Sequence, residues 1–296
     1  MDKYLHSFDN TQIYYNYSPQ KNPFTLVFLH GVGGNWTLWK KEIEYFQQKG
    51  YSTLALDLRG HGASQYLPDF ASYRLYCFSR DVHYVLKKEN INNFSLIGHS
   101  IGGGVAINYL MRYKSLYPKS LVLVDTAITY PFDHNHLLNM NSYFTKFLRF
   151  IANYPLTVEK HLPHLKDIDL SVEGIKQQVH LISHLLHFTP LFSLVKALDN
   201  LEQYVFHNQK RIDLALSSLK IPTLIISGEK DETIPMQFSK HIKELKKDAQ
   251  LKIIKEGHHR VIVDKYDEVS RVMQQFFVHK VIPYLDSPQN LVLPKN

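Results

Sequence analysis

The feature that most constrains the fold is a repeated change between two hydrophobic patterns along the chain. Short, nearly continuous apolar runs, typical of strands buried on both faces, alternate with longer segments whose apolar residues recur at helical spacing. Strands that alternate with helices need crossover connections, which build an open, twisted, mostly parallel sheet covered by helices on both sides. The apolar runs are 25–29, 52–56, 94–97, 121–124, 223–226 and 251–254, and the helical segments are 39–49, 73–88, 103–113, 236–245 and 266–279.

Two parts of the chain depart from this alternation. Apolar residues at every second position from 13 to 17 predict an N-terminal antiparallel strand with one face in water. The strand signal stops after residue 125 and resumes near residue 221, and helical spacing within that stretch predicts an inserted cap of amphipathic helices. The predicted units are an α/β core at 1–129 and 219–296 and a helical cap at 130–218.

Composition and charge limit the class of protein. Hydrophobic residues make up 44% of the 296 residues and charged residues 21%, which is enough apolar material for a sizeable core. The net charge of +7 comes from scattered basic residues, whereas nucleic-acid binding needs a clustered stripe, so we expect no nucleic-acid partner. The start of the chain lacks a signal-peptide pattern, no apolar run is long enough to span a bilayer, and Cys77 is the single cysteine. We therefore expect a cytoplasmic protein without stable membrane insertion.

The strongest local signal is GHSIG at residues 98–102, which directly follows one apolar run and directly precedes a helical segment. A serine on such a tight strand-to-helix turn has strained backbone angles, and glycines two residues away on each side let the chains approach closely. The turn also places the serine at a helix N-terminus, where backbone N–H groups stabilise developing negative charge. These features predict that Ser100 is a nucleophile.

A serine hydroxyl is a weak nucleophile, so it needs a base, and the base needs an acid that orients it. The loops after the last two apolar runs hold carboxylates and histidines, and the carboxyl ends of parallel strands meet at one edge of a sheet. We predict Asp231 as the acid and His258 as the base. The alternatives are Glu229, Glu232 and Asp125 for the acid and His259 for the base.

The loop HGVGG at residues 30–34 predicts the second half of an oxyanion hole, in which the backbone N–H groups of Val32 and Ile101 face the reaction centre. The loop lacks the lysine and spacing of a phosphate loop, so we expect no cofactor. We also expect no metal, because the histidines at 180, 184 and 187 share a helix face without a cysteine or an HExxH pattern. The candidate substrate-pocket residues are His30, Gly31, His99, Phe144 and Phe147.

Five blocks in this order resemble the α/β-hydrolase superfamily over nearly everything outside the predicted cap. They are HGVGG at 30–34, DLRGHGAS at 57–64, GHSIGG at 98–103, GEKDETIP at 228–235 and EGHH at 256–259. The resemblance implies that Asp57 and Arg59 brace loops near the site without a catalytic step. For the site it implies Ser100 as nucleophile, Asp231 as acid, His258 as base, and Val32 and Ile101 as oxyanion donors.

The residue at the strand-to-helix turn, called the nucleophile elbow, narrows the set of reactions that the resemblance implies. Members of that family that open epoxides or remove halogen carry Asp there, whereas this chain has Ser100. We therefore expect a carboxylesterase-like or lipase-like serine hydrolase that cleaves a small or medium apolar ester through an acyl-enzyme. The same residues also fit C–C bond hydrolysis, a lyase reaction, cofactor-free peroxidation or a non-catalytic ligand-binding protein of this fold. The sequence carries no signal for the oligomeric state.

Overall fold

The computed structural model describes residues 2–21, 24–129 and 191–286, and its centre is one eight-stranded sheet. The strand order is β1-β2-β4-β3-β5-β6-β7-β8, with the non-consecutive neighbours that crossover connections produce. The strands are β1 (Asp2–His6), β2 (Gln12–Ser18), β3 (Thr25–Leu29), β4 (Ser52–Leu56), β5 (Phe94–His99), β6 (Ser120–Val124), β7 (Thr223–Gly228) and β8 (Gln250–Ile254).

The pairing of the strands confirms the predicted mostly parallel α/β sheet. The six strands from β4 to β8 in the sheet order pair in parallel. At one edge, β2 pairs antiparallel with both β1 and β4, as the alternation between residues 13 and 17 predicts. The antiparallel strand β1 was not predicted, because it is only five residues long and half-exposed, and so carries no long hydrophobic run.

Helices cover both faces of the sheet, and each face has its own apolar core. One core contains side chains of α2, α3, α4 and α5, and the other contains side chains of α1, α6 and α7. A short π-helical segment, Phe277–Val281, connects the last two helices. The helices are α1 (Lys40–Gln48), α2 (Leu75–Lys88), α3 (Ile101–Arg112), α4 (Leu191–Ser217), α5 (Met236–Leu245), α6 (Val261–Asp264), α7 (Tyr266–Phe276) and α8 (Ile282–Leu285).

Strand β8 departs from the prediction that every apolar run is buried on both faces. It pairs only with β7, and its residues alternate between exposed and partly buried positions until Ile254. An edge strand has one unpaired side, so polar residues such as Lys252 are tolerated where a central strand would bury them. His258 and His259 therefore follow an edge strand.

Helix α4 lies within the predicted cap range and packs on α2 and α3. Three of its polar residues fix it to the segment before α2: Ser193 bonds the hydroxyl of Tyr73, Lys196 donates to the carbonyl of Pro68, and Asn200 donates to that of Phe70. Residues 130–190, with Phe144, Phe147 and the histidines at 180, 184 and 187, lie outside the described residues. The division into core and cap therefore stays a prediction.

Helix α1 contains one buried group that works against folding. Glu42 is fully buried beside Ile43 and Phe46, and neither of its carboxylate oxygens has a hydrogen-bond partner within the described ranges. Because burial disfavours the charged form, the pKa of Glu42 lies well above its usual value of 4.5. The unfolded chain releases this proton at a lower pH than the folded chain, so the group lowers the free energy of unfolding as pH rises.

We predict that Glu42→Met raises the free energy of unfolding at about pH 8 and has a much smaller effect at about pH 5, close to the unfolded pKa. Methionine has a similar length and removes the ionisable group from an apolar site. Urea unfolding at both pH values measures the difference. An equal gain at both pH values would contradict the assignment, since it would reflect packing alone.

Candidate active site

Ser100 lies on the turn between β5 and α3 with φ 54° and ψ −121°, a conformation that non-glycine residues rarely adopt. Its backbone N–H donates to the carbonyl of Val124 in β6 at 2.9 Å, so the neighbouring strand holds the turn in place. Ser100 is 8% exposed, and its hydroxyl has no hydrogen-bond partner among the residues described. A strained serine with an uncommitted hydroxyl matches the predicted nucleophile position.

Glycines around Ser100 lie where a side chain would meet backbone atoms. A Cβ at Gly98 would lie 2.4 Å from the carbonyl oxygen of Gly102, and a Cβ at Gly102 would lie 2.4 Å from that of Leu29. A Cβ at Gly31 would lie 3.2 Å from the Cβ of Ser100. The loop after β3 therefore lies directly against the nucleophile turn, as the predicted oxyanion hole requires.

The two predicted oxyanion donors occupy suitable elements. Ile101 is the first residue of α3, where backbone N–H groups have no partner within the helix. Val32 lies in the loop after β3 and packs against the core on the α3 side of the sheet. Their joint role as donors stays a prediction.

The histidine that pairs with Asp231 is His259 and not His258, the predicted base. Nδ1 of His259 lies 2.8 Å from Oδ2 of Asp231, and the His259 side chain is 16% exposed, whereas His258 is exposed to solvent. Alternation of side chains along a strand cannot choose between these two histidines, because β8 ends at Ile254 and Glu256 turns the chain with φ 55°. His258 instead lines a surface groove of about 530 Å³ together with Glu229, Lys230 and Glu232 of the loop before α5.

Asp231 is held as an acceptor from two sides. Its Oδ1 accepts the backbone N–H groups of Thr233 and Ile234, both at 2.8 Å, while Oδ2 faces His259. Burial lowers the pKa of His259, but the nearby carboxyl groups, Asp231 first and Asp125 after it, outweigh this and leave that pKa above its usual value. Asp231 is therefore the carboxylate that orients the ring.

The alternatives in the same loop do not reach the histidine. Glu229 accepts the backbone N–H of Glu256 at 3.0 Å and is exposed, and Glu232 is also exposed. The alternative on β6, Asp125, is different, because it is fully buried and lies near both Asp231 and His259. Two carboxylates thus meet at this edge, and only Asp231 bonds the ring.

Asp125 directly follows β6 with a left-handed φ of 45°. Its Oδ1 accepts the backbone N–H of Gly228 at 2.8 Å, and its Oδ2 has no hydrogen-bond partner within the described ranges. Burial, followed by the negative charge of Asp231, raises the pKa of Asp125 well above its usual value. Burial and this neighbouring carboxylate therefore favour the protonated form of Asp125.

One group of the described residues brings three donor atoms of metal-ligand type together. Single ligand atoms of His99, Asp125 and His259 all lie within 4.8 Å of one another. One nitrogen of each histidine ring already forms a hydrogen bond. Nε2 of His99 donates to the carbonyl oxygen of His259 at 2.7 Å, and Nδ1 of His259 faces Asp231. Burial lowers the pKa of His99 to about 3, so this ring is neutral.

His30, which is predicted for the substrate pocket, is a buried residue that braces a loop in the structure. It is fully buried, its Nδ1 donates to the carbonyl of Gly31 at 2.7 Å, and its Nε2 accepts the backbone N–H of Leu58 at 2.9 Å. Burial lowers the pKa of His30 to about 3, consistent with a neutral ring that donates at one nitrogen and accepts at the other. His99, also predicted for the pocket, is only 4% exposed.

The bracing role of Asp57 and Arg59 is confirmed. Asp57 accepts backbone N–H groups of Trp36 at 2.7 Å and Ala63 at 2.8 Å, which connects the loops after β3 and β4. The guanidinium of Arg59 is fully buried and bonds both oxygens of Asp81 at 2.7 Å. None of these hydrogen bonds involves Ser100, His258 or His259.

Comparison with known proteins agrees with this arrangement. The family model described as the alpha/beta hydrolase fold matches residues 25–266, which is most of the chain. The chain belongs to the α/β-hydrolase family. The matched range includes Ser100, the loop that contains Asp231, and both His258 and His259.

The relatives are distant and diverse. The human protein ABHD8 is 25% identical over 269 residues, which cover 91% of this chain and 58% of ABHD8, so the chain spans little more than half of that relative. Epoxide hydrolase 3 of Xenopus tropicalis is 23% identical over 87% of this chain and 72% of its own length. An esterase structure from Exiguobacterium antarcticum superposes with a TM-score of 0.70 at 18% identity, covering 93% of this chain and 99% of that one, which shows a shared fold. Within the described ranges, no helix combines the length and apolar content needed to cross a bilayer.

We predict that Gly98→Ala destabilises the protein by about 1–3 kcal/mol, because its methyl group must displace the backbone of α3. Gly104→Ala, in α3, is the matched control, since its Cβ meets nothing closer than a leucine methyl at 3.5 Å. The control should be neutral or gain up to about 1 kcal/mol from the better helix propensity of alanine. Thermal unfolding of both variants measures this contrast, and similar midpoints would refute the close approach.

Proposed function

We propose that this protein is a serine hydrolase that cleaves a small or medium apolar carboxylic ester through an acyl-enzyme. The observation that carries the proposal is the 2.8 Å pair of Asp231 and His259 at the same sheet edge as the strained Ser100. Strand order supports their meeting, because β5, β6, β7 and β8 are consecutive neighbours. A nucleophile, a base and an orienting acid are the groups that acyl transfer needs.

The hydrogen bond to Asp231 assigns the protons on His259. A carboxylate only accepts, so Nδ1 of His259 carries the hydrogen, and Nε2 of the neutral ring is left to accept a proton. In the proposed reaction Ser100 attacks the ester carbonyl while Nε2 of His259 takes its proton. The same proton then goes to the leaving alkoxide, and water repeats these steps to release the acid. Asp231 stays charged and stabilises the imidazolium.

The oxyanion of each tetrahedral intermediate is assigned to the backbone N–H groups of Ile101 and Val32. The first lies at the N-terminus of α3, where the helix dipole also favours negative charge. The second lies in the loop that approaches Ser100 at Gly31. Removing one such donor typically costs about 3 kcal/mol of transition-state stabilisation.

The ester class is supported by the residue at the elbow. The family resemblance associates an aspartate there with epoxide opening and halogen removal, and this chain has Ser100. The structural similarity to an esterase agrees, although it shows the fold alone. C–C bond hydrolysis, lyase and peroxidase reactions use the same groups, and a graded panel of p-nitrophenyl esters with increasing acyl length separates an esterase from these. The substrate-binding residues Phe144 and Phe147 stay predictions.

We predict that a fluorophosphonate probe labels Ser100 in the native protein, and that Ser100→Ala abolishes both labelling and turnover of p-nitrophenyl esters. His259→Ala should lower both rates by about a thousandfold or more, because the hydroxyl then lacks its base. His258→Ala is the matched control and should react like the native protein, since its side chain is exposed and outside the pair. If His258→Ala lost activity while His259→Ala kept it, the assignment of the base would be wrong.

We predict that Asp231→Asn lowers kcat by about three to four orders of magnitude, because an amide no longer fixes the tautomer of His259. Glu232→Gln, one residue along the same loop and exposed, should keep native kinetics. Steady-state kinetics on one ester compare the two variants, and thermal midpoints check that both fold. Equal activities would exclude Asp231 as the acid.

A further inference from the structure

Asp125 has a buried oxygen without a partner in the middle of the candidate site. Its Oδ2 faces no donor in the described structure, although Oδ1 of the same group is bonded to Gly228. A buried acceptor that is left unpaired costs about 1–3 kcal/mol, and more if it is charged. A proton on Oδ2 removes the charge and turns this oxygen into a donor.

The neighbouring groups decide where such a proton is shared. His99 directs its Nε2 hydrogen to the carbonyl of His259, and His259 directs its Nδ1 hydrogen to Asp231, so both rings donate elsewhere. Each neutral ring also has one nitrogen that can accept, but the carboxylate of Asp231 is the charged acceptor beside Asp125, and a charged acceptor forms the stronger hydrogen bond. Two buried carboxylates side by side cannot both be ionised, so one proton is held between them.

The number of donors on each carboxylate decides which one holds the proton. Asp231 accepts three hydrogens, from the backbone of Thr233 and Ile234 and from the ring of His259. Asp125 accepts one, from Gly228. Because hydrogen bonds to a carboxylate favour its charged form, the charge stays on Asp231 and the proton on Asp125.

We propose that Asp125 is a positioning residue that stays protonated in the resting protein and donates its carboxyl hydrogen to Asp231. Asp231 then accepts a fourth hydrogen bond, which holds its orientation and spreads its charge. The inference deepens the proposed function, because its consequence is a moderated basicity of His259. Asp125 itself takes no part in bond making.

The proton on Asp125 is measured directly by infrared spectroscopy at neutral pH. Of the 27 aspartates and glutamates, only protonated groups contribute to the carboxylic acid carbonyl band. We expect Asp125→Asn to remove one component of this band, and Glu42→Gln, which changes the other buried unpaired carboxyl group described above, to remove a different component. A spectrum that is unchanged in Asp125→Asn would overturn the proposal.

The donor role is tested by the titration of His259 in nitrogen-detected NMR. Asparagine at 125 keeps a hydrogen donor without charge and is tolerated at positive φ, so we expect the pKa of His259 to stay as in the native protein. Asp125→Ala removes the donor, which concentrates charge on Asp231, so the pKa of His259 should rise. The acid limb of kcat/KM should move to higher pH with it, and Asp125→Asn should restore the native limb.

Two results would contradict this role. If Asp125 were ionised, Asp125→Asn would remove a negative charge and lower the pKa of His259 instead of preserving it. If Asp125→Ala left that pKa unchanged, Asp125 would have no influence on the pair. Both spectroscopic measurements are made on the resting protein without turnover, so they remain decisive even if the fluorophosphonate probe fails to label Ser100 and the proposed function falls.

Discussion

The left-handed conformation of Ser100 is the constraint on which the site depends. A non-glycine residue in this region costs of order 1–3 kcal/mol and persists only where its surroundings hold it. Here the surroundings are backbone: the N–H of Ser100 bonds β6, and the chain at Gly98 and Gly102 packs against α3 and β3 without side chains between them. The sheet therefore serves as a rigid support that keeps a strained turn at its edge.

The same sheet explains why distant parts of the sequence meet. Because β5 to β8 are consecutive in the strand order, the residues that follow each strand are neighbours at one edge. Ser100, Asp125, Asp231 and His259 each come from a different one of these strand ends. The residues that directly follow β5, β6 and β7 each donate a backbone hydrogen bond to the neighbouring strand: Ser100 to Val124, Asp125 to Ile226 and Glu229 to Ile254. The side chain of Glu229 also accepts the backbone N–H of Glu256, which connects the loops after β7 and β8.

Much of this arrangement could be predicted from the sequence because it depends on local patterns. Apolar runs predicted six of the strands, and the glycines around Ser100 predicted the elbow, since both signals reflect the steric needs of the backbone. The choice between His258 and His259 could not be made in this way. The choice depends on the turn at Glu256, where a positive φ occurs at a residue other than glycine, so the sequence does not indicate the turn. It also depends on the contact between His259 and Asp231, which are 28 residues apart in the chain.

The exposure of β8 shows a related limit. Its run of apolar residues predicts burial on both faces, but burial depends on whether another strand lies beyond it, and that is set by the end of the sheet. Likewise, the carboxylate of Asp125 was recognised as an alternative acid from its place after β6, whereas its protonation depends on neighbours from two other loops. Local sequence therefore predicts which elements form, and the contacts between elements decide chemistry.

Three buried carboxyl groups illustrate how those contacts assign different roles to similar side chains. Asp81 is bonded by Arg59 at both of its oxygens, and this ion pair offsets part of the cost of its burial, which raises the pKa of Asp81. Asp231 accepts three hydrogen bonds and faces the ring of His259. Asp125 accepts one, and burial beside Asp231 raises its pKa well above the usual value. The count of donors around each group, rather than its depth in the protein, separates a structural ion pair, an orienting carboxylate and a proton donor.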